Sequence, residues 1–395
     1  MESMSPRPNA LDQAVNALSD ATLLSHPASG LVDAARAAAA DRLVHLMLPG
    51  WFVTFALQII VLVYFWQSGL AARLRDRLRR RFRNGFTVRF LFGASLGLVG
   101  RLAGLIPDLY IYRVERSMSL SDQLLRAWAA DWIANTIVTM LVVGIVVSIV
   151  LWLVDRTHQW YIYLLFAIVA ASIGLAFAAP YVVLPRFGHY ADIPTAYRRD
   201  VADLEARAHV NVPILEHVDD RTHLGGAYVQ GLGPSQRIII SDAVFQASSL
   251  REIHYAIARE LGFIAIGGPM RIAIADAIFV IIGIALAVAI ADRIGFRRDD
   301  DPIARLALLG ALLGVMYLAI VPFNNAMLRS LSWASEEYAL TLTRDPAPAV
   351  REIVRNADQS LQSVCVTGLA GTFRQETQDP AHAVETANHV PSGCR

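Results

Sequence analysis

Lysine is missing from the 395 residues, so all 35 basic side chains are arginine, a bias read here as codon usage in a GC-rich genome rather than as function. Charge of either sign is scarce: it makes up 17% of the chain, against about 25% in an ordinary soluble domain. With a formal net charge of +1, nothing in the balance points to nucleic acid as a partner. Cysteine is limited to Cys365 and Cys394, too few for a disulfide framework or a zinc ribbon. The first 30 residues have no basic stretch followed by an apolar one, so no cleavable signal peptide is expected, and they read as disordered.

What the chain has in abundance is apolar sequence, 55% of it, gathered in long uninterrupted runs. Six runs can cross about 30 Å of hydrocarbon at ~1.5 Å per helical residue: Pro49–Trp66, Phe90–Tyr112, Trp132–Val154, Trp160–Val183, Ile272–Ile290 and Ile303–Phe323. Trp51, Trp66, Tyr110, Trp132, Trp160 and Tyr161 sit at span ends, where amphipathic rings favour the headgroup level. The alanine-rich segment Leu31–His45 reads as an interfacial helix. Between the fourth and fifth spans the character changes. Tyr197–His209 has helical periodicity, and Val212–His217, Ala227–Gln230 and Arg237–Ser241 alternate as short strands. A second helix is expected over Ser249–Ile266, and another over Asn325–Thr343 after the last span. The expected fold is mostly α: a polytopic membrane protein of about six transmembrane helices with a small α+β insert. Its parts are 1–47 (polar segment and interfacial helix), 48–186 (four spans), 187–268 (the insert), 269–324 (a two-span hairpin) and 325–395 (C-terminal helical part and tail).

Two features inside the spans and loops bear on topology. Arg101 lies within the second span, where a charge is costly, and is expected to face a water-filled interior. The first loop carries Arg73, Arg75, Arg77, Arg79, Arg80, Arg81, Arg83 and Arg89, which by the positive-inside rule belongs in the cytoplasm. Counting spans, the α+β insert then faces the other side.

Four segments, in order, give the chain a familiar look: Ile106-Pro107 through Tyr110-Ile111-Tyr112-Arg113-Val114-Glu115; Ala179-Pro180 through Leu184-Pro185-Arg186-Phe187; Gly226 to Gly233 followed by Arg237-Ile238-Ile239-Ile240-Ser241-Asp242; and Ala339-Leu340-Thr341-Leu342-Thr343-Arg344-Asp345-Pro346. Together they resemble the membrane-embedded zinc metallopeptidases of the CAAX prenyl protease and HtpX-like type, a gluzincin group. The resemblance implies a helix bearing HExxH, whose two histidines at i and i+4 hold Zn²⁺ while the glutamate polarises the metal-bound water. It also implies a third ligand on a helix after the last span, and a cytoplasmic insert.

Carried over residue by residue, the motif here is Arg259, Glu260, Leu261, Gly262 and Phe263. Glu260 keeps the general-base position. Arg259 and Phe263 stand where the histidines would be, and Ser332 stands at the third ligand. A guanidinium is donor-only and permanently charged, so it repels a metal ion and is expected to pair with Glu260, Glu336 or both. Arg329 keeps the family's arginine, and Glu336 takes the position of its aspartate. No cofactor is therefore expected, although zinc serves the family.

The resemblance further implies that Gly226, Ala227, Tyr228, Val229 and Gln230 form an edge strand able to take up extended peptide through main-chain groups. The leading expectation is a pseudo-protease of the bacterial inner membrane, contacting membrane lipids and binding membrane-protein or lipidated peptide segments. Two alternatives stay open. One is an active metalloendopeptidase with unconventional ligands from His217, His223 or His254 beside Glu260; the other is a non-enzymatic chamber for lipid or peptide.

Overall fold

The computed structural model describes residues 14–118, 120, 121, 123–157, 159–182, 189–218, 226–296 and 302–394. Two short helices, α1 (Asp20–Ser25) and α2 (Ala28–Leu31), precede α3 (Ala34–Gln67), α4 (Leu70–Arg81), α5 (Gly85–Ser117), α6 (Leu125–Arg156) and α7 (Trp160–Val182). Strand β1 (His189–Asp192), α8 (Arg198–Ala208), β2 (Ile214–Val218), β3 (Ala227–Gln230), β4 (Arg237–Ser241), α9 (Asp242–Ala247) and α10 (Leu250–Ala265) follow. The chain continues with α11 (Gly268–Ala291), α12 (Pro302–Thr343), α13 (Pro346–Ser360), α14 (Gly368–Phe373) and α15 (Pro380–Asn388).

Among the described residues, α3, α5, α6, α7, α11 and α12 are long and apolar enough to cross a membrane, in agreement with the six apolar runs. Helix is the form such runs take because hydrocarbon offers no partner for backbone N–H and C=O groups. The alanine-rich segment is not a separate helix, since α3 runs unbroken from Ala34 through Pro49 to Gln67. Asn325–Thr343 is likewise the continuation of the last span.

The chain forms two compact units. One comprises Leu46–Ala171 and Asp276–Pro322. Within it α5 and α6 cross closely through paired glycines. A Cβ on Gly93 would lie 2.7 Å from Val147 Cβ and 2.8 Å from the Val143 carbonyl, and one on Gly144 would meet the Phe90 ring at 2.8 Å. Small residues at such crossings let backbones approach where no hydrophobic force drives helices together. Arg101 is answered between the same two helices. It pairs with Asp108 at 3.5 Å and lies over the Trp132 ring, 5.2 Å from its centroid, while Trp132 Nε1–H donates to Asp108 Oδ2 at 3.0 Å. At one end Arg89 pairs with Asp155, and Leu74 and Leu78 of α4 pack onto the apolar core.

The other unit comprises Met1–His45, Ser172–Ala275 and Phe323–Arg395. Its sheet has the order β1-β2-β4-β3, with β2 parallel to β4 and the outer pairs antiparallel. Strand β1 was not expected; its four residues are too few for a pattern of their own. Ile238, Ile239 and Ile240 of β4 are all fully buried, as a central strand covered on both faces requires. Ile253, Ile257 and Leu261, one face of α10, pack on this sheet together with Val201 and Leu204 of α8.

Residues 14–31 correct the expectation of disorder. Val15, Leu23, Ala28 and Leu31 are buried against α13 and α15, and Asn388 Nδ2–H donates to the carbonyls of Leu23 at 3.0 Å and His26 at 2.9 Å. These apolar residues are too sparse to make a stripe alone, and the C-terminal helices supply their partners. Cys365 and Cys394, too few for a disulfide framework, form one disulfide, Cα atoms 5.6 Å apart, because α15 turns the tail back on itself.

Candidate functional site

The site is built on α10. Ser249 begins it: its N–H donates to the Glu252 carboxylate at 2.6 Å, closing a capping box at the helix start. Gly262 sets how near α12 comes, since a Cβ there would lie 2.8 Å from the Tyr338 ring and 3.1 Å from the Ser335 carbonyl. This close approach brings the helix of Arg259 and Glu260 against the helix of Ser332 and Glu336.

Arg259 is the centre of the arrangement. Its guanidinium pairs with Glu260 Oε1 at 3.0 Å and with Glu352 Oε1 at 3.7 Å, and donates to the Ala227 carbonyl at 3.5 Å. Of the pairings expected from sequence, Glu260 is made directly. Glu336 instead accepts from Ser332 Oγ at 3.1 Å and contributes to the field at Arg259. Glu352 takes the second direct position. Sequence reasoning missed it because it lies on α13, 92 residues from Glu260, in no recognisable motif. Nothing in the local sequence marks Glu352 or Arg355, whose burial appears only in the fold.

A second buried pair repeats the pattern. Glu252 of α10 meets Arg355 of α13 at 2.8 Å, so each helix gives one carboxylate and one guanidinium to the other. The pairs Glu252–Arg355 and Arg259–Glu352 require α10 and α13 to run antiparallel. Arg355 also donates to Ser248 Oγ at 2.9 Å and to Asn16 Oδ1.

The electrostatics are those of a cation enclosed by an excess of carboxyls. Burial pulls Arg259 down, yet the carboxylates of Glu260 and Glu352 outweigh it and hold the guanidinium protonated. Burial pushes Glu260 above its ordinary value, opposed by Arg259. Glu352 is raised by burial and by its like-charged neighbours Glu260 and Glu252, again opposed by Arg259. One oxygen each of Glu336 and Glu352 is buried without a hydrogen-bond partner. The Tyr255 phenol, fully buried beside these groups, is held well above its usual range by burial, then by Glu336.

The remaining sequence candidates take other roles. Phe263 packs on the turn into α11, where a Cβ on Gly268 would lie 2.4 Å from its ring. Arg329 donates to the carbonyls of Gly371 at 2.8 Å and Gln375 at 2.7 Å, in the wall of an open cleft of about 510 Å³. His254 Nε2 lies 3.6 Å from Asp200 on α8, and His217 stacks on Tyr190. His223 lies outside the described residues.

In β3, Ser241 N–H donates to the Gly226 carbonyl, so the directly bonded pairs with β4 are Gly226/Ser241, Tyr228/Ile239 and Gln230/Arg237. The main-chain groups of Ala227 and Val229 therefore point away from β4, to the edge of the sheet that no described strand pairs with. Arg259 reaches that edge at Ala227.

The donor set does not fit zinc. Arg259 offers no lone pair, Phe263 no donor atom, and the Ser332 hydroxyl is engaged with Glu336. Among the described residues, one group of three His, Cys, Asp or Glu has its ligand atoms within 4.8 Å of one another: Asp379, His382 and Cys394. It lies outside this site, and its sulfur is in the disulfide.

A polytopic helical scaffold, a small four-stranded sheet and a helix carrying Arg259 and Glu260 beside the edge strand are shared with the class of membrane-embedded CAAX-protease-like proteins. Residues 49–189 match the CAAX prenyl protease N-terminal family model, described as five membrane helices; among the described residues four spans and the short arginine helix α4 occupy that stretch. Over 336 residues the chain is 25% identical to the metalloprotease YhfN of Bacillus subtilis, covering 81% of this chain and 74% of that protein. The crystal structure of Ste24p from S. mikatae superimposes with a TM-score of 0.68 at 14% identity, covering 96% of this chain and all of that one, which shows a shared fold.

Proposed function

We propose that this protein is a catalytically silent member of the class that binds extended polypeptide at the free edge of β3 without cutting it. The observation that carries the reading is the Arg259 guanidinium, which stands at a metal-ligand position, is neutralised by Glu260 and Glu352, and abuts the edge strand at Ala227. Peptide hydrolysis needs a nucleophile activated near neutral pH. A zinc ion supplies one by lowering the pKa of its bound water; a guanidinium has no coordination site for water. Glu260, the residue that would take the water's proton, is already engaged by Arg259. Edge pairing has no such requirement, because the outward N–H and C=O groups of Val229 and the N–H of Ala227 are main-chain groups. Arg259 adds a fixed donor that can hold a peptide carbonyl where attack would otherwise occur.

Metal analysis of the purified full chain by plasma mass spectrometry, together with cleavage assays, tests the silence. Tightly bound zinc near one per chain, or peptide cleavage abolished by Glu260→Gln, would sink it. Binding of a fluorescent extended peptide tests the edge. Val229→Pro removes an N–H that β4 does not use, so the fold should persist while affinity falls about five- to tenfold. Equal affinity in the variant, or no binding to the wild type, would refute the edge reading.

A further inference from the structure

We infer that the peptidase-like unit stands on the extracytoplasmic side of its membrane, with Cys365–Cys394 formed there, so that the edge strand meets exported or extracytoplasmic polypeptide rather than cytoplasmic lipidated tails. The clause about the partner rests on the edge reading above; the sidedness does not. Two observations of unrelated kinds carry it, against the cytoplasmic placement that family resemblance implies.

The first is the distribution of arginine over the short connections. With the six candidate spans among the described residues, the connections after the first, third and fifth share one side. The N-terminal segment and the connections after the second, fourth and sixth share the other. The first group holds the eight arginines from Arg73 to Arg89, then Arg156, Arg293, Arg297 and Arg298. The second group holds Arg113, Arg116 and Arg126 in its short connection after span two, and Arg36 and Arg42 in the segment just before span one. Long inserts carry little weight in orienting a chain, whereas short basic connections are retained in the cytoplasm. Helix α4 strengthens this. It turns Leu74 and Leu78 to the apolar core while Arg73, Arg77, Arg79 and Arg80 are exposed, an amphipathic cationic face suited to the headgroup level.

The second is the disulfide. The chain's two cysteines both lie in the peptidase-like unit and are paired with one another, leaving no free thiol. Bonds of this kind persist in the periplasm and outside the cell, and are rare in a reducing cytoplasm. Positive charge retained on one side and an oxidised pair on the other describe one orientation.

The test uses the full chain in intact cells and a membrane-impermeant polyethylene-glycol maleimide, read as a gel shift. The wild-type chain should take no label after denaturation alone and two after denaturation with reduction. Treating intact cells first with an impermeant phosphine reductant should make Cys365 and Cys394 reactive without permeabilisation. Arg77→Cys, made with the native pair retained, should add a single label that appears after the membrane is opened and not before. Labelling of residue 77 in intact cells, or native thiols found free, would overturn the inference. Loss of peptide binding with the labelling pattern intact would remove the partner and leave the sidedness standing.

Discussion

Replacing Arg259 by methionine keeps most of the side chain's length and removes its charge. Glu260 and Glu352 face it with side chains 9% and 8% exposed, so the substitution strands two carboxyls where there is little water. Breaking a buried pair by deleting one partner costs about 3–5 kcal/mol, mainly through desolvation of the charge left behind. Both carboxyls already sit above their ordinary value of 4.5 with Arg259 present, and without it they rise further. A carboxyl whose pKa is higher in the folded state binds more protons when folded, so stability falls as pH rises from the unfolded value through the folded one. The deficit of Arg259→Met should therefore be small near about pH 4.5 and reach several kcal/mol by about pH 8. Denaturant titration in mild detergent, repeated at five pH values against the wild type, reads it directly. A deficit that stays flat across pH, or falls below about 1 kcal/mol at pH 8, refutes the charge-enclosure account. Adding Glu260→Gln to Arg259→Met should restore part of the loss, since it removes one of the stranded charges.

Other consequences can be checked by stability and assembly. Gly93→Leu should prevent the close crossing of α5 and α6, seen as aggregation or loss of a monodisperse elution peak; a normal peak would show that the helices separate freely. Arg101→Leu leaves Asp108 with the Trp132 N–H as its remaining strong partner, and should lower the midpoint of thermal unfolding more than the pair Arg101→Leu/Asp108→Leu. The paired Cys365→Ser/Cys394→Ser variant should lose about 3–4 kcal/mol under non-reducing conditions, as closing a loop of this length predicts, and be insensitive to added reductant. A reductant that destabilises the wild type by nothing would contradict the stabilising role of the bond.

The spans were legible because hydrocarbon imposes length and apolarity on contiguous residues, so runs such as Trp132–Val154 carry their own evidence. The motif helix was legible because Arg259, Glu260 and Phe263 are bound to a fixed local spacing. The rest depends on contacts that local sequence does not encode. Glu352 looks like any acidic residue on a polar helix until α13 is laid antiparallel to α10. Leu23 and Ala28 look like scattered apolar residues in a polar leader until α15 covers them. The cysteine pair gave no spacing to interpret, and only the reversal of the tail at Pro380 brings Cys394 back to Cys365. The free edge of β3 was legible as a glycine-bounded strand, but which of its carbonyls face outward follows from the register with β4.

Arg355 touches all three stretches that make up the peptidase-like unit: Asn16 from the start of the chain, Ser248 and Glu252 from its middle, and its own helix near the end. A ribosome making this protein releases Asn16 more than 330 residues before Arg355. Until then the early helices have no C-terminal partner, and Glu252 has no cation to pair with. Completion of the unit is thereby tied to insertion of the last span and to release of the tail. A chain stalled or truncated before α13 would leave Glu252 without Arg355 and Leu23 without its C-terminal cover.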